Sequence, residues 1–461
     1  MKEMSTQSAK EPVFHGMVRI TSLGCAKNFV DTELASASFL CNGFGLTDDD
    51  DEADVQFVNT CAFLKEARDE ASGIIRELKR WKAACPGRYI IVAGCFVQWA
   101  SSEELAKYPY VDAWMRIDTV AEAGKIALEL MGGKAPGVCG EAGKPKYIYN
   151  DATPRVQLTP SHYAYVKIAD GCDNCCAYCL IPSIRGPLRS RTEESVEKEV
   201  RGLIDSGVKE IILIAQDSGG FGRDRTGRPG LASLLKKLDE LSGDFWLRVM
   251  YLHPASVNDE LLSVLKDAKH VIRCIEMPIQ HIADNVLKGM GRKVFGARTR
   301  EVIRQVMDLG YAVRTTLMTG FPGETREDHE ELLQFVKDTK FERLGVFAYS
   351  PEPGTRAAAM EGQVPAKTAS ARRAALLKAQ RAVSLAHNRA LIGTELPVIV
   401  DEITGRGRAR GRTLFDAPDI DNLVNLRFKG KLAPGAVVTA KVDGASEYEL
   451  NATLVAEDAK V

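Results

Sequence analysis

A surplus of charge of either sign is what this sequence most plainly lacks: 61 Lys and Arg stand against 62 Asp and Glu in 461 residues. Such a balance gives no bulk electrostatic grip on nucleic acid or on an acidic membrane surface, and leaves only local patches for that purpose. Neither DNA nor a membrane is therefore expected as a partner. Long apolar runs are missing too. The most apolar stretch, around 90–97, falls far short of the ~20 residues a membrane helix needs. No basic segment followed by an apolar one opens the chain, so a soluble, cytoplasmic protein is expected. Repeats of solenoid type are absent, and the acidic run Asp48 to Glu52 reads as a solvated loop. What the sequence does have is cysteine. Eleven in a chain of this kind should stay reduced and act as ligands, catalysts or small core residues. Apolar residues at 45% suffice for buried cores, and the length suggests two to four domains at ~150 residues each.

The patterning is α/β for most of the length. Strand-like runs begin at Val18, Val55 and Tyr89, with helical segments from Asp31 to Leu40 and from Phe63 to about Ala84 between them. This alternation predicts a parallel α/β domain over 14–131. A Gly-, Pro- and Lys-rich stretch, 132–157, reads as a linker. A second alternating run follows over 158–393, with strands expected near Ala164, Glu210, Trp246, Val271, Ala312 and Leu344. Six βα units of this length predict a partial (β/α)6 barrel with chemistry at the strands' C-terminal ends. A long helix from Ala366 to Leu391 closes it. Short strands with turn residues then predict a small antiparallel, OB-like β-barrel over 394–461.

The run Gly171-Cys172-Asp173-Asn174-Cys175-Cys176-Ala177-Tyr178-Cys179 follows the first strand of the barrel-like domain, on its catalytic face. Thiolates suit iron–sulfur clusters or zinc. The C-x3-C-x2-C set Cys172, Cys176 and Cys179 supplies three ligands where a structural zinc or an electron-transfer cubane takes four. A zinc site completed by a distant His is the alternative, and Cys172, Cys175 and Cys179 are arithmetically possible as well. Three ligands leave one iron of a four-iron cluster open. With the aromatic Tyr178 before the third cysteine, the motif resembles that of the radical S-adenosylmethionine superfamily.

A second cysteine set stands in the first domain. Leu23-Gly24-Cys25, Asn59-Thr60-Cys61 and Ala93-Gly94-Cys95 each end a predicted strand, and such ends converge on one ligand-binding crevice in an open parallel sheet. Free cysteine is also a common core residue. Threefold repetition of the placement favours a second cluster on Cys25, Cys61 and Cys95. Cys41, Cys85, Cys139 and Cys274 have no such setting.

Two three-cysteine sets and a terminal β-barrel of the TRAM kind resemble the methylthiotransferase family along almost the whole chain. Ser22-Leu23-Gly24-Cys25-Ala26-Lys27-Asn28, with Asp31 and Glu33, is similar to that family's opening motif, with Ala26 where proline is common. One branch of the family modifies an adenosine of transfer RNA. The RimO type modifies an aspartate of small-subunit ribosomal protein S-twelve. Gly171-Cys172-Asp173, Ala215-Gln216-Asp217, Met277-Pro278-Ile279-Gln280-His281 and Asp416-Ala417-Pro418-Asp419-Ile420-Asp421 resemble the second branch. The terminal module agrees: its 9 Lys/Arg against 11 Asp/Glu from Thr394 onward are not the balance of an RNA-gripping fold. Its acidic loop 416–421 would suit a basic partner, and the Arg406, Arg408, Arg410, Arg412 run reads as an alternating exposed edge strand.

The resemblance implies two 4Fe–4S clusters and S-adenosylmethionine as both radical source and methyl donor. An external electron donor and ribosomal protein S-twelve, or the small subunit carrying it, are the implied partners; the sulfur source is not implied. A 5′-deoxyadenosyl radical would take hydrogen from the aspartate β-carbon, and a methylated sulfur would be supplied at the Cys25/Cys61/Cys95 cluster. Position on the catalytic face adds Tyr178, Gln216, Asp217, Gly320 and Gly323 as S-adenosylmethionine contacts, although ordinary turn chemistry would also explain the glycines. His281 reads as a hydrogen-bonded structural residue. A transfer-RNA methylthiotransferase and a non-catalytic iron–sulfur or RNA-binding adaptor are the competing readings.

Overall fold

Six short runs of the amino-terminal part form one parallel sheet in the computed structural model, which describes residues 13–455. They are β1 (Gly16–Ser22), β2 (Phe44–Thr47), β3 (Val55–Thr60), β4 (Tyr89–Gly94), β5 (Ala113–Met115) and β6 (Gly137–Cys139). Every neighbouring pair is parallel, in the order β2-β1-β3-β4-β5-β6. They belong to the first of two units, which among the described residues takes in 13–147 with 152–156; the second is 148–151 with 157–455.

β3 and β4 are buried almost throughout, as central strands of a parallel sheet must be; β4 is a continuous apolar run, whereas β3 also buries Gln56, Asn59 and Thr60. β2, β5 and β6 are too short to carry a period, and sequence patterning missed them. β6 lies in the stretch read as a linker. The later part of that stretch also returns to the sheet's unit, where Arg155 donates from Nε and Nη2 to Glu33 Oε2 at 2.8 and 2.5 Å. Helix α1 (Ala26–Cys41) starts directly after Cys25, five residues before the expected start. Its first turns bury polar side chains, Asn28, Asp31, Thr32 and Glu33 among them, which erases the amphipathic signal. Helix α2 (Lys65–Ala84) and the short α3 (Cys95–Trp99) follow β3 and β4.

The second unit is built on β7 (Tyr163–Lys167), then the two-residue antiparallel pair β8 (Ala169–Asp170) and β9 (Arg189–Ser190), which closes off the cysteine loop. β10 (Glu210–Ile214), β11 (Trp246–Val249), β12 (Val271–Glu276), β13 (Ala312–Thr319) and β14 (Arg343–Ala348) complete a six-stranded parallel sheet. Its order, β14-β13-β12-β11-β10-β7, follows the chain and leaves the curl open, as six βα units predict. Ala164, Val166, Leu213, Val249 and Val313 meet Leu235, Leu265, Val302 and Leu332 of the surrounding helices in the main core.

Helix Ala366–Ala390 leads to a closed barrel of β15 (Glu395–Gly405), β16 (Arg408–Thr413), β17 (Leu423–Arg427), β18 (Val437–Ala445) and β19 (Glu449–Leu454), in the order β15-β16-β17-β19-β18. Closure corrects the edge-strand reading, because β16 is paired on both sides. Arg406, Arg408 and Arg410 are exposed, whereas Arg412 is buried.

The acidic loop is corrected as well. Asp416 is fully buried and paired with Arg343 at 2.7 Å, and Asp421 pairs with Arg314 at 2.9 Å. Asp419 accepts from Tyr163 Oη at 3.2 Å. Arg412 pairs with Glu210, whose other oxygen receives Arg248 Nε at 2.6 Å, and Arg248 also donates to the carbonyls of Leu414 and Asp416. These acids therefore face the starts of the parallel strands and leave little for a basic partner.

Candidate active site

In the first unit the sheet order reverses between β1 and β3, and ligands of open α/β sheets bind at such a switch point beyond the strands' C-terminal ends. Cys25 and Cys61 follow those two strands and Cys95 follows the neighbouring β4. Side chains stitch the three ends together. Asn28 donates to the carbonyls of Leu23 and Thr60, and Asn59 donates to Asn28 O and Thr32 Oγ1. Thr60 Oγ1 donates to Ala93 O at 2.5 Å and accepts from Phe96 N at 3.2 Å. Gly24 has φ 93°, and a Cβ there would lie 2.7 Å from the Cys61 Cβ. No larger residue lets the Cys25 loop approach Cys61 this closely. Cys25 is the N-cap of α1, where the helix dipole favours negative charge.

In the second unit Cys172, Cys176 and Cys179 share one electrostatic neighbourhood. Burial, with a smaller push from Cys176, raises the Cys172 thiol to about 11 and the Cys179 thiol to about 12. Each of the three sulfurs has a donor. Asn174 N reaches Cys172 Sγ at 3.5 Å, Ile181 N reaches Cys179 Sγ at 3.4 Å, and Arg292 Nη1 reaches Cys176 Sγ at 3.8 Å. Cys175 differs. It is exposed, sits at φ 51°, and its carbonyl accepts from Arg356 Nη2 at 2.7 Å. Among the described residues no three His, Cys, Asp or Glu side chains form a compact cage for a single metal ion.

The other expected contacts fall into two groups. Gln216 donates to buried Asp170 at 2.7 Å, a carboxylate that also receives Lys167 and Arg185; these cations hold it well below the usual carboxylate range despite its burial. Gln216 Oε1 is buried without a partner. Asp217 accepts from Asn174 Nδ2 at 2.6 Å and from the His253 backbone at 3.3 Å, so it clamps the cysteine loop to the end of β11. Tyr178 packs edge-on against Phe321, which places the turn after β13 beneath the loop. Within that turn Glu324 accepts from Thr319 Oγ1 and from the backbones of Gly320 and Phe321. A Cβ on Gly320 would lie 2.3 Å from Ala369 Cβ of the long helix, and Gly323 N donates to Gly362 O at 2.9 Å. Tyr178 and the 318–324 turn thus meet at the cysteine loop, as do Gln216 and Asp217 through Asp170 and Asn174. Asn174, His253, Arg292 and Arg356 were not singled out from sequence. Three of them lie more than 70 residues from the cysteines, and only Asn174, inside the motif, stood where a local signal would be sought.

Comparison with known proteins agrees with this geometry. Residues 17–116 match Uncharacterized protein family UPF0004, 166–336 the Radical SAM superfamily, and 392–455 the TRAM domain. The structure resembles TsrM, a radical S-adenosylmethionine methyltransferase from Kitasatospora setae, with TM-score 0.56 and 16% identity over 72% of this chain and 73% of that one. It also resembles the cobalamin-dependent S-adenosylmethionine radical enzyme OxsB, with TM-score 0.50 and 13% identity over 79% and 56%. At these identities the likeness is one of fold. The class is that of a radical S-adenosylmethionine enzyme, which works with S-adenosylmethionine and a 4Fe–4S cluster.

Full-length relatives are more specific. The chain is 39% identical to the ribosomal protein uS12 methylthiotransferase RimO of Heliobacterium modesticaldum, over 95% of both proteins. The protein of that name from Desulforamulus reducens is also 39% identical, over 94% of this chain and 98% of its own. The chain belongs to the ribosomal protein uS12 methylthiotransferase RimO family, a family of transferases.

Proposed function

We propose that this enzyme adds a methylthio group to the β-carbon of an aspartate in ribosomal protein uS12, using two 4Fe–4S clusters. Cys172, Cys176 and Cys179 hold the radical cluster, and Cys25, Cys61 and Cys95 hold the second. The observation that carries the reading is the pair of thiol sets, one at the switch point of its own sheet and one on the first loop of the radical barrel, in a chain that aligns end to end with the RimO relatives. Donor chemistry fits. Thiolates are the ligands of such clusters, and hydrogen bonds to the sulfurs set their potentials.

A cluster held by Cys172, Cys176 and Cys179 would supply the electron that turns S-adenosylmethionine into a source of the hydrogen-abstracting radical, and a second S-adenosylmethionine would supply the methyl group. The residues' own work is to bind and to orient. Arg292 and two backbone amides donate to the cysteine sulfurs. Asp217 and Asn174 fix the loop, Gln216 keeps a buried acceptor at the same strand ends, and Tyr178 seals the loop against Phe321. Gly320 and Gly323 shape the turn beneath it. An external one-electron donor is required, and a cytoplasmic site of action follows from the substrate.

Two measurements test the reading. Reconstituted protein should hold about eight irons per chain, and a chain lacking Cys25, Cys61 and Cys95 about four. In a deletion strain, uS12 should lose the methylthio mass increment while bulk transfer RNA keeps its own. The opposite pattern would assign the activity to transfer RNA. Absence of 5′-deoxyadenosine formation by reduced, cluster-loaded protein would leave a non-catalytic adaptor.

A further inference from the structure

His253 lies just beyond the end of β11, four residues after Val249. Its side chain is 7% exposed, and its Nδ1 accepts from Ala255 N at 3.0 Å, capping the short turn Pro254–Ser256. With Nδ1 used as an acceptor in a neutral ring, the proton sits on Nε2. That Nε2 is buried and has no partner among the described residues. Its surroundings point to the cysteine loop. The His253 backbone donates to Asp217, whose other oxygen holds Asn174 of the loop. The charged groups that bear on the ring are Arg223, Arg292 and Lys293; Arg292 donates to Cys176 Sγ and Arg223 faces Asp173 at 3.8 Å. Burial and these cations keep the imidazole neutral. An unpartnered N–H donor in a cationic corner needs an electron-rich acceptor.

We propose that His253 Nε2–H is a positioning donor to the cofactor assembly on the Cys172 loop, its acceptor being a cluster sulfur or the carboxylate of bound S-adenosylmethionine. The inference rests on the reading of Cys172, Cys176 and Cys179 as cluster ligands. His281 provides the comparison inside the same molecule. Its Nδ1 also accepts from the amide two residues on, at 3.1 Å, and its Nε2 is also buried without a partner. The charged groups near it are Asp328, His329 and Arg372, none of which touches the cysteine loop.

Two substitutions separate the turn cap from the donor. Asparagine reproduces the Nδ1 acceptor, since Asn is a favoured cap, but does not reach the Nε2 position. Glutamine places an N–H near Nε2 and gives up the cap. Both are made in full-length chain whose Cys25, Cys61 and Cys95 are alanine, so that one cluster is read. Iron content, the potential of the cluster by spectroscopically monitored titration, and equilibrium binding of S-adenosylmethionine are measured. With a sulfur acceptor, His253→Asn should keep its iron and become about tenfold harder to reduce, a shift of about 59 mV for one electron. With a carboxylate acceptor, its potential should hold and S-adenosylmethionine should bind about tenfold more weakly. His253→Gln should stay near the parent in both, and His281→Asn should move neither. A shift in His253→Gln with none in His253→Asn would make the residue a turn cap and overturn the proposal. Unchanged values in His253→Asn, or loss of iron from it while His253→Gln is also altered, would overturn it too. A parent chain without iron would instead remove the ligand assignment underneath.

Discussion

At the scale of single residues, adjacent cysteines divide sharply. Cys176 shares its neighbourhood with Cys172, Cys179 and Arg292, whereas Cys175 turns outward on a left-handed backbone. Cys176→Ser should therefore cost about four irons per chain and Cys175→Ser none, by iron assay after reconstitution. The spacing of Cys172, Cys176 and Cys179 was legible in sequence because the three lie within eight residues. Arg292 and His253 were not, because what makes them functional is a partner far along the chain. The two buried histidines also bear on stability. Burial holds His253 neutral to about 2 and His281 to about 3, while both take up protons near 6.5 once unfolded. Their contribution is complete above pH 6.5 and declines as the pH falls below it, by at most about 1.4 kcal/mol per pH unit for each. Urea unfolding at pH 7, 6 and 5 should show a shallower loss in the double variant His253→Asn, His281→Asn.

Elements explain how far the pattern reading went. Each strand followed by a cysteine was visible, because β1, β3 and β4 are rich in β-branched and apolar residues and stop at a polar or glycine residue. The start of α1 was hidden by its buried polar residues, and β5 and β6, at three residues each, are set by their neighbours in the sheet. Gly24 shows the cost of altering such an element. Ala at φ 93° would press its methyl group against Cys61, so Gly24→Ala should destabilise the first unit by about 1–3 kcal/mol. Reconstituted Gly24→Ala should also lose the iron assigned to Cys25, Cys61 and Cys95 and keep the remainder.

For the whole second unit, the ionic seat of the β-barrel was the least legible feature. Asp416, Asp421 and Arg412 look like solvated charges in a loop and a strand, and their partners, Arg343, Arg314 and Glu210, lie 73 to 202 residues away. Removing one partner of a buried pair strands the other charge, at about 3–5 kcal/mol. Arg412→Met should thus lower stability by that amount, whereas Arg408→Gln, on the exposed face of the same strand, should stay within about 0.5 kcal/mol. Thermal unfolding of the two variants makes the comparison. Assignment to uS12 consequently leans on the full-length relatives, since the acids that suggested a basic partner are already used.

That seat also governs traffic. With Arg412 to Asp421 bonded across the starts of β7, β10, β11, β13 and β14, the curl of parallel strands has a floor. Molecules approaching the strands' C-terminal ends are left the cysteine-loop end and the open side of the curl, between β14 and β7.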